Sequence, residues 1–158
     1  MSDSSTGLKA RLRSDLTTAM KARDAIRSST IRMVMTAVKA EEVSGDVARE
    51  LSEAELTTVL AREAKKRREA ATAYEDAGRA ELAEKERAEL AVLGDYLPKQ
   101  LSDEEVAALV TEEVAAAAAK GASGKAAMGV VMKAVRGRVA GQADGGRVAA
   151  EVKRQLEA

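Results

Sequence analysis

Tyr96-Leu97-Pro98-Lys99-Gln100-Leu101-Ser102 holds the only proline among the 158 residues of the chain. One charged helical pattern stops there, and another opens with Ser102. A residue that precedes proline is pushed out of the helical region. The stretch therefore predicts a hinge at 98–102, between a longer N-terminal part over 1–97 and a smaller C-terminal part over 103–158.

Working outward, both parts read as helices. Leu8, Leu12, Leu16, Ala19 and Met20 recur on one helical face. Asp24 is placed to cap a second helix with the stripe Ile26, Thr30, Met33, Val34, Ala37 and Val38, closed by Ser44-Gly45-Asp46. Ser52 with Glu55 makes a capping box before Leu56, Val59 and Leu60, in a helix that stops near Gly78. A fourth carries Leu82, Leu90, Leu93 and Leu97 and is expected to end at Pro98. Beyond the hinge, Ser102 with Glu105 is a second capping box, followed by Val106, Leu109, Val110 and Val114, with Gly121 as a left-handed cap. Seven glycines fall between Gly121 and Gly146, yet Met128, Val131, Met132, Val135 and Val139 keep helical spacing. Val148, Val152 and Leu156 mark a last helix after a glycine-rich turn over 141–146. No alternating β pattern occurs. The fold class expected is all-α: a bundle of about four helices, then a small three-helix subdomain.

Composition narrows the chemistry. Apolar residues make up 46% and charged residues 33%, which suits a folded chain. The core must come from Leu, Val, Met, Ile and Ala, because there are two Tyr and no Phe or Trp. There is no Cys, which fits a reducing compartment, and neither a leader-like N-terminus nor a run of roughly 20 apolar residues is present. A cytoplasmic protein without a membrane partner is expected. Monomer and dimer suit the apolar stripes equally.

His is absent too, which removes the commonest general base and metal ligand. Neither usual nucleotide-binding glycine loop is present. Acids sit beside bases at helical spacing, as in Glu63 to Arg67, Glu81 to Lys85 and Lys85 to Glu89, which reads as a solvated face. No catalytic residue, metal site or cofactor is expected.

Charge is zero overall but uneven. Residues 1–45 are net +3, residues 46–119 net −8 and residues 120–158 net +5. Such asymmetry can mark an anionic partner. Two basic clusters stand out. Arg62, Lys65, Lys66, Arg67 and Arg68 wrap one helix among glutamates. Lys125, Lys133, Arg136, Arg138, Arg147, Lys153 and Arg154 form the second, with Asp144 and Glu151 the only acids inside it. Lys133 and Arg136 share a helix face away from Met132 and Val135, while Gly137 and Gly141 allow tight backbone turns that can offer N–H groups to phosphate. With so few aromatics for base stacking, this inventory suits phosphate contacts and recognition of folded RNA by shape.

A series of motifs in order then resembles a known family. They are Leu8-Lys9-Ala10-Arg11-Leu12, Ala19-Met20-Lys21-Ala22-Arg23-Asp24, Ile31-Arg32-Met33 and Ala37-Val38-Lys39-Ala40-Glu41-Glu42. Lys66-Arg67-Arg68-Glu69-Ala70, Tyr96-Leu97-Pro98-Lys99-Gln100-Leu101, Met128-Gly129-Val130-Val131-Met132-Lys133 and Ala143-Asp144-Gly145 follow. The chain resembles the GatB/YqeY family in its standalone YqeY-like form. It departs from the pattern at Ser28-Ser29, where the family carries a bulkier leucine-containing pair, and at Gly137 and Gly146. The resemblance implies an all-α fold. It also implies kinship with the tail of the B subunit of the tRNA-dependent amidotransferase, which amidates Glu-tRNA(Gln) or Asp-tRNA(Asn). In that family the tail helps hold tRNA while the chemistry sits in other domains.

The expected function is thus a non-catalytic tRNA-binding module. Contact is expected through the seven basic residues of the second cluster, with Arg62 to Arg68 extending the surface. The rival expectation is a module docking on a protein partner in translation, through an apolar groove near Met128, Met132 and Val135. A carbon–nitrogen ligase using glutamine as amido donor is the least supported reading.

Overall fold

A computed structural model describes residues 7–158, so the reading of the first six residues lies outside it. The described residues up to Leu97 and those from Pro98 onward form two compact units. All regular structure in them is helical.

The first unit holds α1 (Leu8–Lys21), α2 (Ala25–Glu42), α3 (Glu53–Asp76) and α4 (Ala80–Gly94). Helix α1 ends where Arg23 takes a left-handed conformation, φ 57. The Arg23 and Asp24 amides donate back to the Met20 and Ala19 carbonyls at 3.1 and 2.9 Å, closing the helix end. Asp24 then caps α2 by accepting from the Arg27 amide at 3.0 Å. The Ser52–Glu55 capping box opens α3 as the sequence predicts.

The predicted stripes converge on one core, in which Leu12 meets Ile31, Val34, Val38, Leu56, Leu60 and Leu93. Each such side chain, removed from water, contributes about 1.5–3 kcal/mol. Two members of the predicted α2 stripe differ. Met33 is 48% and Ile26 37% exposed, because the packed face of α2 runs along Ile31, Val34 and Val38.

Helix α4 stops at Gly94, four residues before Pro98. Leaving the helix early turns Tyr96 inward, where its hydroxyl donates to the Asp15 carboxylate at 2.6 Å. The Arg11 guanidinium lies 4.7 Å over the same ring, a cation–π contact that ties α1 to the end of α4.

The pair Glu63–Arg67 is not a solvated surface pair. Both side chains are buried between α3 and α4. Arg67 Nη1 donates to Glu63 Oε2 at 2.9 Å, and its Nε lies 3.4 Å from Glu89 Oε2. Glu89 thus faces Arg67 rather than Lys85.

The second unit holds α5 (Asp103–Ala119), a 3-10 turn (Gly124–Ala127), α6 (Met128–Val139) and α7 (Gly145–Glu157). The Ser102–Glu105 capping box opens α5, and Gly121 takes the left-handed conformation (φ 86) that closes it. Val106, Val110, Val131, Val135, Val148 and Val152 form its centre. The Leu101 amide donates to the Gln142 carbonyl at 2.7 Å, and Gln155 Nε2 to the Ala107 carbonyl at 3.0 Å. These bonds tie the α6–α7 connection and the end of α7 to the N-terminal part of the α5 segment.

Candidate nucleic-acid interface

Core packing of Val131, Met132, Val135 and Val139 fixes the rotation of α6. Its opposite side then points Gly129, Val130, Lys133, Arg136 and Gly137 to solvent. The predicted shared face of Lys133 and Arg136 is present. Gly137, by contrast, is an ordinary helical residue and makes no tight turn. The turn falls at Ala140 and Gly141, with φ 42 and 82.

The seven basic residues divide into two groups. Three are neutralised within the unit. Arg138 donates to Glu112 at 2.6 Å and Glu113 at 3.1 Å, on the facing side of α5. These carboxylates, Glu112 foremost, raise its pKa further above the ordinary guanidinium value. Arg147 bonds Asp103 at 2.7 Å and the Leu101 carbonyl at 3.0 Å, stapling the start of α7 to the start of α5. Arg154 bonds Glu151 at 2.5 Å and, with Gln155, holds that carboxyl at about 2.

The other four, Lys125, Lys133, Arg136 and Lys153, are exposed and form no ion pair among the described residues. Lys125 and Lys153 flank a cavity of about 360 Å³, floored by Met128 and Leu156. Lys120, at the end of α5, is exposed and unpaired as well. Sequence reasoning passed over it because it lies outside the glycine-rich tail. Part of the Arg136 charge serves the fold, since a cation in the last turn of α6 complements the helix dipole.

The other basic cluster is spent internally. Arg62 meets Glu41 at 3.4 Å, Lys65 meets Glu69 at 3.9 Å and Lys66 meets Glu63 at 3.0 Å. Arg67 is buried, and Arg68 is engaged too. Arg13, Lys21, Arg32 and Lys39 on α1 and α2, with Arg23 in the turn between them, form no ion pair among the described residues, and Arg32 donates to the Met20 sulfur at 3.4 Å. Sequence reasoning passed over them, although the excess of basic residues over 1–45 was the available signal.

Of the apolar groove expected near Met128, Met132 and Val135, only Met128 lines an opening, the cavity it shares with Leu156. Met132 and Val135 are buried in the core, leaving Met128 half-buried and Val130 57% exposed. Neither tyrosine offers a free stacking platform, since Tyr96 is buried and Tyr74 half-buried. Among the described residues no cluster of three or more acidic groups is placed to hold a metal, and no helix is long and apolar enough to cross a membrane.

A family model described as Yqey-like protein matches residues 9–156, nearly the whole chain and both units. No curated protein sequence matches it.

Proposed function

The chain belongs to the YqeY-like family, and from that premise we propose that it is a non-catalytic helical module that binds tRNA through its second unit. One observation carries the reading: Lys125, Lys133, Arg136 and Lys153 remain solvent-facing while the other three basic residues of the tail cluster are bound to carboxylates. Four unmatched cations attract a polyanion, and with no exposed tyrosine among the described residues they favour phosphates over base edges. Arg138, Arg147 and Arg154 serve this reading as fasteners of the unit rather than as contacts.

The test is tRNA binding followed by fluorescence anisotropy. Reversing Lys133→Glu together with Arg136→Glu should weaken binding across tRNA species, with an unchanged helical spectrum. Unaltered affinity would remove the assignment.

A second reading, docking on a protein of translation, is favoured by Val130, which is exposed on the outer face of α6. A stoichiometric protein partner retained after nuclease treatment would support it.

A further inference from the structure

Helices α1 and α2 carry four described carboxylates, and each already has a partner. Asp15 accepts from Tyr96, and Asp24 caps α2. Glu41 meets Arg62, and Glu42 is bound by Lys9. The cations are in the opposite condition. Arg13 and Lys39 are exposed and have no ion pair among the described residues. Both border a cavity of about 180 Å³ between the two helices, floored by Leu12, Met35 and Val38.

Leu12 and Val38 are core residues, so the cavity reaches the edge of the hydrophobic core. Its cations therefore sit against a low-dielectric wall, where attraction for an anion is stronger than at a flat surface. Among the described residues the only carboxylate lining it, Glu42, is 6% exposed. Lys9, opposed by burial and aided by Lys39 and Arg13, holds the Glu42 carboxyl below the usual carboxylate range. Glu42 is thus a satisfied anion, and Lys9 its counter-ion. Arg13 and Lys39 are left in excess, one on each helix, facing the same opening. At about 30 Å³ per water the cavity matches roughly six waters, enough for a phosphate group.

We propose that the groove between α1 and α2 is a second phosphate-binding site, in which Arg13 and Lys39 clasp a phosphodiester of bound RNA. This rests on the RNA-binding reading above and extends it to the first unit. Arginine supplies a planar fork of donors for two phosphate oxygens, and lysine a point charge from the opposite wall. Leu12, Met35 and Val38 give the sugar an apolar seat.

The experiment measures tRNA affinity of the full chain across a salt series. Four proteins are compared: wild type, Arg13→Gln with Lys39→Gln, Lys133→Gln with Arg136→Gln, and a control with Lys85→Gln and Arg87→Gln. All substituted side chains are exposed. Thermal unfolding checks that each variant folds. Each lost phosphate contact should reduce the slope of log affinity against log salt by about 0.7–0.9. The Arg13/Lys39 variant is expected to flatten the slope by roughly twice that while the control matches wild type. If tRNA binds and the Lys133/Arg136 variant weakens it, but the Arg13/Lys39 variant keeps wild-type affinity and slope, the second site is overturned and the tail reading stands. If the wild type binds no tRNA at low salt, both fall.

Discussion

Arg67 and Glu89 meet at 3.4 Å between α3 and α4, with side chains only 4% and 6% exposed. Glu63 holds the other side of the guanidinium at 2.9 Å. Glu63 also accepts from Lys66 at 3.0 Å, so Arg67 is the cation that Glu89 depends on. Arg67→Ala strands Glu89 and leaves Glu63 to Lys66 alone, and should cost about 3–5 kcal/mol, the usual loss when one partner of a buried pair is removed. Urea unfolding measures it. A loss below about 1 kcal/mol would show that the carboxylates find water or a proton instead.

Tyr96 is pushed up to about 12, first by burial and then by its hydrogen bond to Asp15. The folded state therefore favours the neutral phenol. This stabilisation is complete below the ordinary value of 10 and is lost as pH rises through about 12. In a Tyr74→Phe background, absorbance at high pH follows Tyr96 alone. Its midpoint should lie near 12, and Asp15→Asn should lower it.

Acid should act through two carboxyls in different units. Arg49 first, with the Ser52 amide, holds Glu55 at about 2. Arg154 first, with Gln155, holds Glu151 at about 2. Depressed carboxyls stabilise the fold above their unfolded value of 4.5, and that contribution disappears as pH falls from 4.5 towards 2. The Arg49→Gln, Arg154→Gln double variant should lose less stability over this interval than wild type, measured by thermal unfolding at stepped pH.

Ala140 closes α6 in the left-handed region, φ 42, where a Cβ is strained. Ala140→Gly relieves a strain of about 1–2 kcal/mol, set against about 0.5–1 kcal/mol of added chain entropy in the unfolded state. A net gain of about 0.5–1 kcal/mol is expected in chemical denaturation. Loss of stability would mean that the Ala140 side chain contributes packing not visible in its exposure.

Helix content was legible because periodicity and capping are local. Ser52 with Glu55 and Ser102 with Glu105 cap as read, and Val131, Val135 and Val139 take the inner face of α6 as read. The end of α4 was misjudged because Pro98 is a strong local stop, whereas Gly94 yields to a distant demand: the reach of Tyr96 to Asp15. Charge was the harder quantity. The spacing of Glu63 and Arg67 is the same on a wet face as in a buried seam, and only the packing of α4 with Glu89 distinguishes the two. Arg138 likewise looked free because its partners, Glu112 and Glu113, lie on another helix. The freedom of Arg13 and Lys39 was hidden for the converse reason: Glu41 and Glu42, which follow Lys39 in sequence, turn to Arg62 and Lys9.

The most direct measurement is the affinity of the purified full chain for total tRNA at about 50 and 200 mM salt. If Lys125, Lys133, Arg136 and Lys153 each neutralise a phosphate, affinity should fall by roughly two orders of magnitude between these concentrations. No binding at the lower salt, or binding indifferent to salt, would contradict the account.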